Sequence, residues 1–152
     1  MISLISGLII FSTVGRPVAQ LSLKITSTTM LEGGKKVQVK LALQNTSESK
    51  QTVWDPKNFE GMNSVHIEQM MKDGKWKDVT PPAPPRAGGV ATSINLKPGE
   101  TAGLMPIIVK LSAGPRPATI RAIYTNSLAS RAPVVRVWTG RIESKPVALA
   151  TR

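Results

Sequence analysis

The stretch Val37-Gln38-Val39-Lys40-Leu41-Ala42-Leu43-Gln44 puts an aliphatic residue at Val37, Val39, Leu41 and Leu43, with Gln38, Lys40, Ala42 and Gln44 between them. Side chains of an extended backbone alternate between its two faces. A period of two therefore describes a strand with one buried and one wetted side. Turn residues bound it: Gly33-Gly34 stands before it and Asn45-Thr46-Ser47 after it. Glycine reaches positive φ without a steric penalty, and Asn and Ser bond their own backbone, so both ends reverse the chain.

The same rhythm extends outward. Residues 21–26 place Leu21, Leu23 and Ile25 in one phase, and 52–54 form a short apolar run that Pro56 stops. Residues 64–71 set Val65, Ile67 and Met71 against His66, Glu68 and Lys72, and Asp73-Gly74 then turns the chain into 75–79, the sequence of a hairpin. Runs at 93–97 and 105–111 flank Pro98-Gly99, and 119–124 puts Ile120, Ala122 and Tyr124 in phase. No window sustains a helical period, and 12 Gly and 12 Pro punctuate the chain. These signals predict an all-β protein: an immunoglobulin-like antiparallel β-sandwich of about seven to nine strands in Greek-key order. Val39, Leu41, Ile67, Ile120, Ala122 and Tyr124 are its expected core. In the closing tract from Trp138 to Leu149, Ile142 lies on the even phase and Val147 and Leu149 on the odd one. Burying all three requires a bulge or kink, placed near Lys145-Pro146 in an edge segment, because proline cannot donate to a ladder.

At 152 residues the chain can bury a core without metal or disulfide, and it contains no cysteine. Residues 1–14 are apolar or hydroxylic and uncharged, and Arg16-Pro17 leads to Val18-Ala19-Gln20. A short apolar stretch before small residues reads as a secretory signal over 1–20, with the mature chain starting at Gln20 or Leu21 and one domain over 21–152. An uncleaved anchor and a buried first strand are the alternatives, since no basic residue precedes the apolar stretch. It is short of the roughly 20 residues that a membrane span needs, so no span is expected in the mature chain. Export without cysteine points to a bacterial envelope or exterior.

The formal charge is +11; loss of Arg16 with the signal leaves 19 basic side chains against 9 acids, or +10. No basic run exceeds Lys35-Lys36. The positive residues fall instead on polar strand phases: Lys40, Lys97, Lys110, Arg121 and Arg136. A sheet face carrying several of them would attract an anionic surface, whether teichoic acid, lipopolysaccharide, acidic glycan or acidic protein. Nucleic acid is disfavoured, because the basic residues are not interleaved with stacking aromatics.

Other local patterns invite chemical readings. Ser64, His66 and Glu68 share a strand phase, yet successive same-face positions lie about 6.8 Å apart, too far for a triad in a straight line. His66 with Met62, Met70 and Met71 offers copper ligands, but one histidine is thin support, so neither metal nor cofactor is expected. Pro81, Pro82, Pro84, Pro85 and Arg86 match a polyproline II ligand and read as a stiff connector that could serve as an interaction loop. Asn45-Thr46-Ser47 satisfies the N-glycosylation pattern. Trp54, Trp76 and Trp138 each stand at a turn or strand end, and two on one open face would make a glycan platform.

The succession N-T-S, D-G-K-W, L-K-P-G-E-T and G-P-R-P-A-T-I-R-A-I-Y, over 37–126, resembles the bacterial immunoglobulin-like sandwiches related to the BsuPI intracellular proteinase inhibitor family. The chain departs from that pattern in having no aromatic-Asp-aromatic tract before the Asp-Gly turn. The resemblance implies the sandwich fold and admits proteinase inhibition, with 81–89 as the inserting loop. The residues themselves favour an exported, non-catalytic binding module for an anionic envelope polymer or a protein partner. A structural accessory protein pairing through an edge strand is the third reading.

Overall fold

The alternating stretch forms β2 (Lys36–Asn45), the central strand of the first sheet in the computed structural model, which describes residues 20–55, 65–82, 92–126 and 137–150. Residues 1–19 of the expected signal, Met62, Ser64, Pro84, Pro85, Arg86 and Arg136 lie outside the described residues. β1 (Leu21–Leu31) pairs antiparallel with β2. The chain reverses between them through Glu32, Gly33 and Gly34, with φ of 48°, 60° and 86°. Two glycines in that left-handed region make the reversal cheap. The other edge of β2 carries β7 (Thr101–Gly103) and β8 (Ile107–Lys110).

A second sheet is built on β9 (Thr119–Asn126). On one side lie β10 (Gly140–Glu143) and β11 (Val147–Ala148); on the other lies β4 (Val65–Met70), followed by β5 (Trp76–Asp78). β3 (Gln51–Trp54) and β6 (Ser93–Leu96) form a separate antiparallel pair. The predicted Asp73-Gly74 hairpin joins β4 to β5: Gly74 has φ +78°, and the Met71 amide donates to the Lys75 carbonyl at 2.9 Å.

Eleven strands stand among the described residues where about seven to nine were expected. The difference has one cause, met twice. From Gly103 opposite Ala42 to Ile107 opposite Val39, the edge advances four residues against three. From Glu143 opposite Ile123 to Val147 opposite Ile120 it does the same. Each interval contains a proline, Pro106 or Pro146, and each extra residue is a bulge that splits one edge lane into two strands. The second bulge lies where the phase change of the closing tract required it, and Ile142 and Leu149 are both buried.

Inner faces of the two sheets share a core. Leu21, Leu23, Val37, Val39, Leu41, Leu43 and Val109 come from the first, and Val65, Ile67, Ile120, Ala122, Tyr124 and Ile142 from the second. Val53 and Leu96 from the β3–β6 pair join it, as do Leu111, Ala118 and Leu149. All six expected core residues are no more than 2% exposed. Two antiparallel sheets facing across an aliphatic layer are the arrangement that period-two sequence produces, since each sheet must hide one side.

Candidate functional site

The two sheets turn outer faces of opposite character to solvent. On the first, Val37, Val39 and Leu41 point inward, which sends Lys36, Gln38 and Lys40 outward. Directly opposite residues of an antiparallel pair share a face. Lys36 therefore neighbours Lys110, Gln38 neighbours Ile108, and Lys24 joins them beside Ala42. The side chains of Lys40 and Lys110 are exposed and, among the described residues, make no ion pair or hydrogen bond. Lys24 donates to the neutral Gln44 side chain at 2.9 Å, and Lys36 pairs with Glu32 at 2.7 Å. Four lysines thus meet one glutamate. Among the described residues, the two large hydrophobic side chains left exposed are Ile108, at 48%, and Met105, at 44%. Ile108 lies on this face, and Met105 follows the inward-packed Leu104 beside it.

On the second sheet, inward Ile67, Ile120, Ala122 and Tyr124 send His66, Glu68, Arg121, Ile123 and Thr125 outward. Here the charges meet one another. Arg121 reaches Glu68 at 2.7 Å and Glu143 at 2.8 Å, and Arg141 binds the other oxygen of Glu143 at 2.7 Å. The Arg121 guanidinium lies 4.3 Å from the centroid of the Trp76 ring, a cation–π contact that covers the cation. Alongside runs an open groove of about 240 Å³ lined by His66, Glu68, Asp78, Ile123, Thr125 and Arg141. His66 Nδ1 stands 3.2 Å from Asp78. Burial works against the Asp78 carboxylate, but hydrogen bonds from the Thr80 hydroxyl and amide and from His66 outweigh it and hold its pKa below the ordinary value. No described hydroxyl bonds His66; Thr125 sits diagonally across the strand pair, roughly 7–8 Å away by backbone geometry.

Of the five basic residues singled out from the sequence, the structure places Lys40 and Lys110 on one sheet face, with Lys110 opposite Lys36. It separates Arg121, which sits on the other sheet with both hands taken by carboxylates. Lys97 follows β6 at the Pro98-Gly99 turn, exposed and at the Asn45 end of β2, where the Gly99 amide donates to the Asn45 carbonyl at 2.9 Å. Lys24 and Lys36, which complete the lysine face, were not singled out; Lys36 shares the phase of Lys40 on β2 itself, whereas Lys24 needed the register of β1 against β2, which a single strand does not reveal. Pro81 and Pro82 leave β5 in exposed, irregular backbone. The three tryptophans make no common platform: Trp76 lies under Arg121, Trp138 packs 5.7 Å from Tyr124, and Trp54 belongs to the β3–β6 pair.

Asn45 and Gln69 are buried polar side chains that the sequence reading missed. Asn45 is fully buried on the inward phase of β2; its Nδ2 donates to the Ser49 and Leu96 carbonyls at 2.8 and 2.9 Å. Both amide hydrogens are engaged, so the folded chain presents no acceptor at the Asn45-Thr46-Ser47 pattern. Gln69 is fully buried too and exchanges two hydrogen bonds with the Ser112 backbone, at 2.8 and 3.0 Å. Tyr124 has a buried hydroxyl with no partner, and burial pushes its pKa up to about 12.

The described residues thus define an all-β protein of packed antiparallel sheets with one cationic outer face and one self-neutralised outer face. They contain no helix long and apolar enough to cross a membrane and no group of three potential metal-ligating side chains. Comparison with protein-family models and with curated proteins found no match.

Proposed function

We propose that the protein is an exported, non-catalytic binding module that attaches to an anionic surface of the envelope through the outer face of β1, β2 and β8. One observation carries this reading: Lys24, Lys36, Lys40 and Lys110 share that face against the single carboxylate of Glu32. Such a cluster raises local potential and draws in anions, with a reach of about 8 Å at physiological salt. The leader over 1–20 supports export. The strand order, with β1-β2-β7/β8 facing β10/β11-β9-β4-β5, supports an immunoglobulin-like Greek key. The self-paired charges of the other sheet leave it little to offer a polyanion.

The test is a pull-down on isolated envelope material, comparing wild type with Lys24→Glu/Lys40→Glu/Lys110→Glu at low and high salt. Wild type is retained at low salt and released as salt rises, and the variant is not retained. Equal, salt-insensitive retention of both proteins would refute the reading.

A further inference from the structure

We propose that the partner of this face is the surface of an anionic phospholipid bilayer, on which the lysines meet headgroup phosphates while Ile108 and Met105 enter the headgroup layer. The inference rests on the anionic-surface reading above and names its partner. A hydrated polyanion would be served by lysines alone. The two exposed aliphatic side chains would gain nothing from such a ligand, yet they stand beside Lys40 and Lys110 rather than elsewhere on the described surface. Paired cationic and apolar contacts are the recipe for peripheral attachment to a membrane.

The local geometry fits that task. β7 and β8 form the outer lane of their sheet, and the bulge at Pro106 breaks that lane between Gly103 and Ile107. Met105 and Pro106 are exposed at the break, and Ile108 follows one same-face step beyond Pro106. An edge position lets the apolar group approach a flat surface without the rest of the sheet obstructing it. Lys110 lies one further step along, about 6.8 Å from Ile108, and Lys36 stands across from Lys110. Apolar tips and cations thus alternate at a spacing comparable to that of lipid headgroups. A second copy of the chain is a poor occupant, because two such faces would bring eight lysines together against two glutamates. Each lysine close to an anionic leaflet strengthens partition about fivefold.

The experiment uses the full mature chain with vesicles of phosphatidylglycerol and phosphatidylcholine, vesicles of phosphatidylcholine alone, and soluble polyphosphate. Wild type binds the anionic vesicles and the polyphosphate but not the neutral vesicles. Met105→Ser/Ile108→Ser loses about tenfold or more in partition to anionic vesicles and keeps its affinity for polyphosphate; Lys40→Glu/Lys110→Glu loses both. Because the chain has no cysteine, Ile108→Cys bearing an environment-sensitive dye gives an independent readout. Its emission shifts to the blue on anionic vesicles, whereas the same dye at Thr125→Cys on the other sheet does not respond. Unchanged vesicle binding by the serine variant, or an unresponsive dye at position 108, overturns the lipid assignment while leaving the anion-binding reading standing. Indifference of both polyphosphate and vesicle binding to the lysine reversals overturns the reading beneath it.

Discussion

Arg121 and Lys40 are both cations at outward positions of central strands, and they do different work. Arg121 is held between Glu68 and Glu143 and lies over Trp76, so its charge is consumed inside the protein. Lys40 pairs with no carboxylate among the described residues, and the lysines nearest it share one glutamate among them. The contrast teaches that a basic residue on a polar strand phase says little until its cross-strand neighbours are known. The face of β4, β9 and β10 uses charge to fix its own structure, with a forked guanidinium matched to two carboxylates. The face of β1, β2 and β8 leaves its charge to solvent or to a partner.

Substitutions should separate the two faces by their effects on stability. The largest effect belongs beneath the lysine face: Leu41→Ala empties a site 2% exposed and should cost about 2–5 kcal/mol in denaturant unfolding. A cost below about 0.5 kcal/mol would place Leu41 on the surface and reverse the assigned faces.

Next comes Arg121→Ala, which leaves Glu68 and Glu143 without their shared partner and uncovers Trp76. It should cost about 1–3 kcal/mol, whereas Lys40→Ala should stay within about 0.5 kcal/mol. Equal costs for the two would erase the distinction between a self-paired and an open face.

Tyr124→Phe tests the inner side of the second sheet. Removing a buried hydroxyl that has no partner should leave stability unchanged or raise it by up to about 2 kcal/mol. The pH dependence has a definite sign. The folded pKa of about 12 lies above the ordinary 10.0, so the unfolded chain releases this proton first. The contribution of Tyr124 is therefore complete below pH 10 and is lost as pH rises toward 12. Thermal melts across that window should show wild type declining more steeply than the variant. Parallel curves would mean that the hydroxyl is solvated or bonded.

Much of the fold was legible because alternation reports burial directly. Val39, Leu41, Ile67, Ile120, Ala122 and Tyr124 lie inward as the period-two pattern requires. The bulge at Pro146 followed from a phase conflict that no straight strand could satisfy. The interruption at Pro106 carried the same local signal, yet no phase conflict marked it. Asn45 and Gln69 occupy inward phases and could have been found by following the alternation through a polar residue. The candidate site was less legible. Glu68 lies 53 residues from Arg121 and Glu143 lies 22 away, so the pairing that removes Arg121 from the basic set depends on strand order and register. Lys24 and Lys110 join Lys36 and Lys40 for the same reason, whereas Lys36 and Lys40 share one phase of a single strand.

The most direct measurement of the central claim is retention on isolated envelope material as a function of salt, for variants that change charge equally at different places. Lys40→Glu/Lys110→Glu alters the open face; Lys72→Glu/Lys75→Glu makes the same change at exposed positions around the β4–β5 turn. Both should keep the wild-type thermal midpoint, because solvated charges contribute little to stability. The first variant should not be retained at any salt concentration. The second should follow the wild-type curve, held at low salt and released as screening increases. Equal loss of retention in both variants would contradict the claim, showing that net charge and not the lysine face governs attachment.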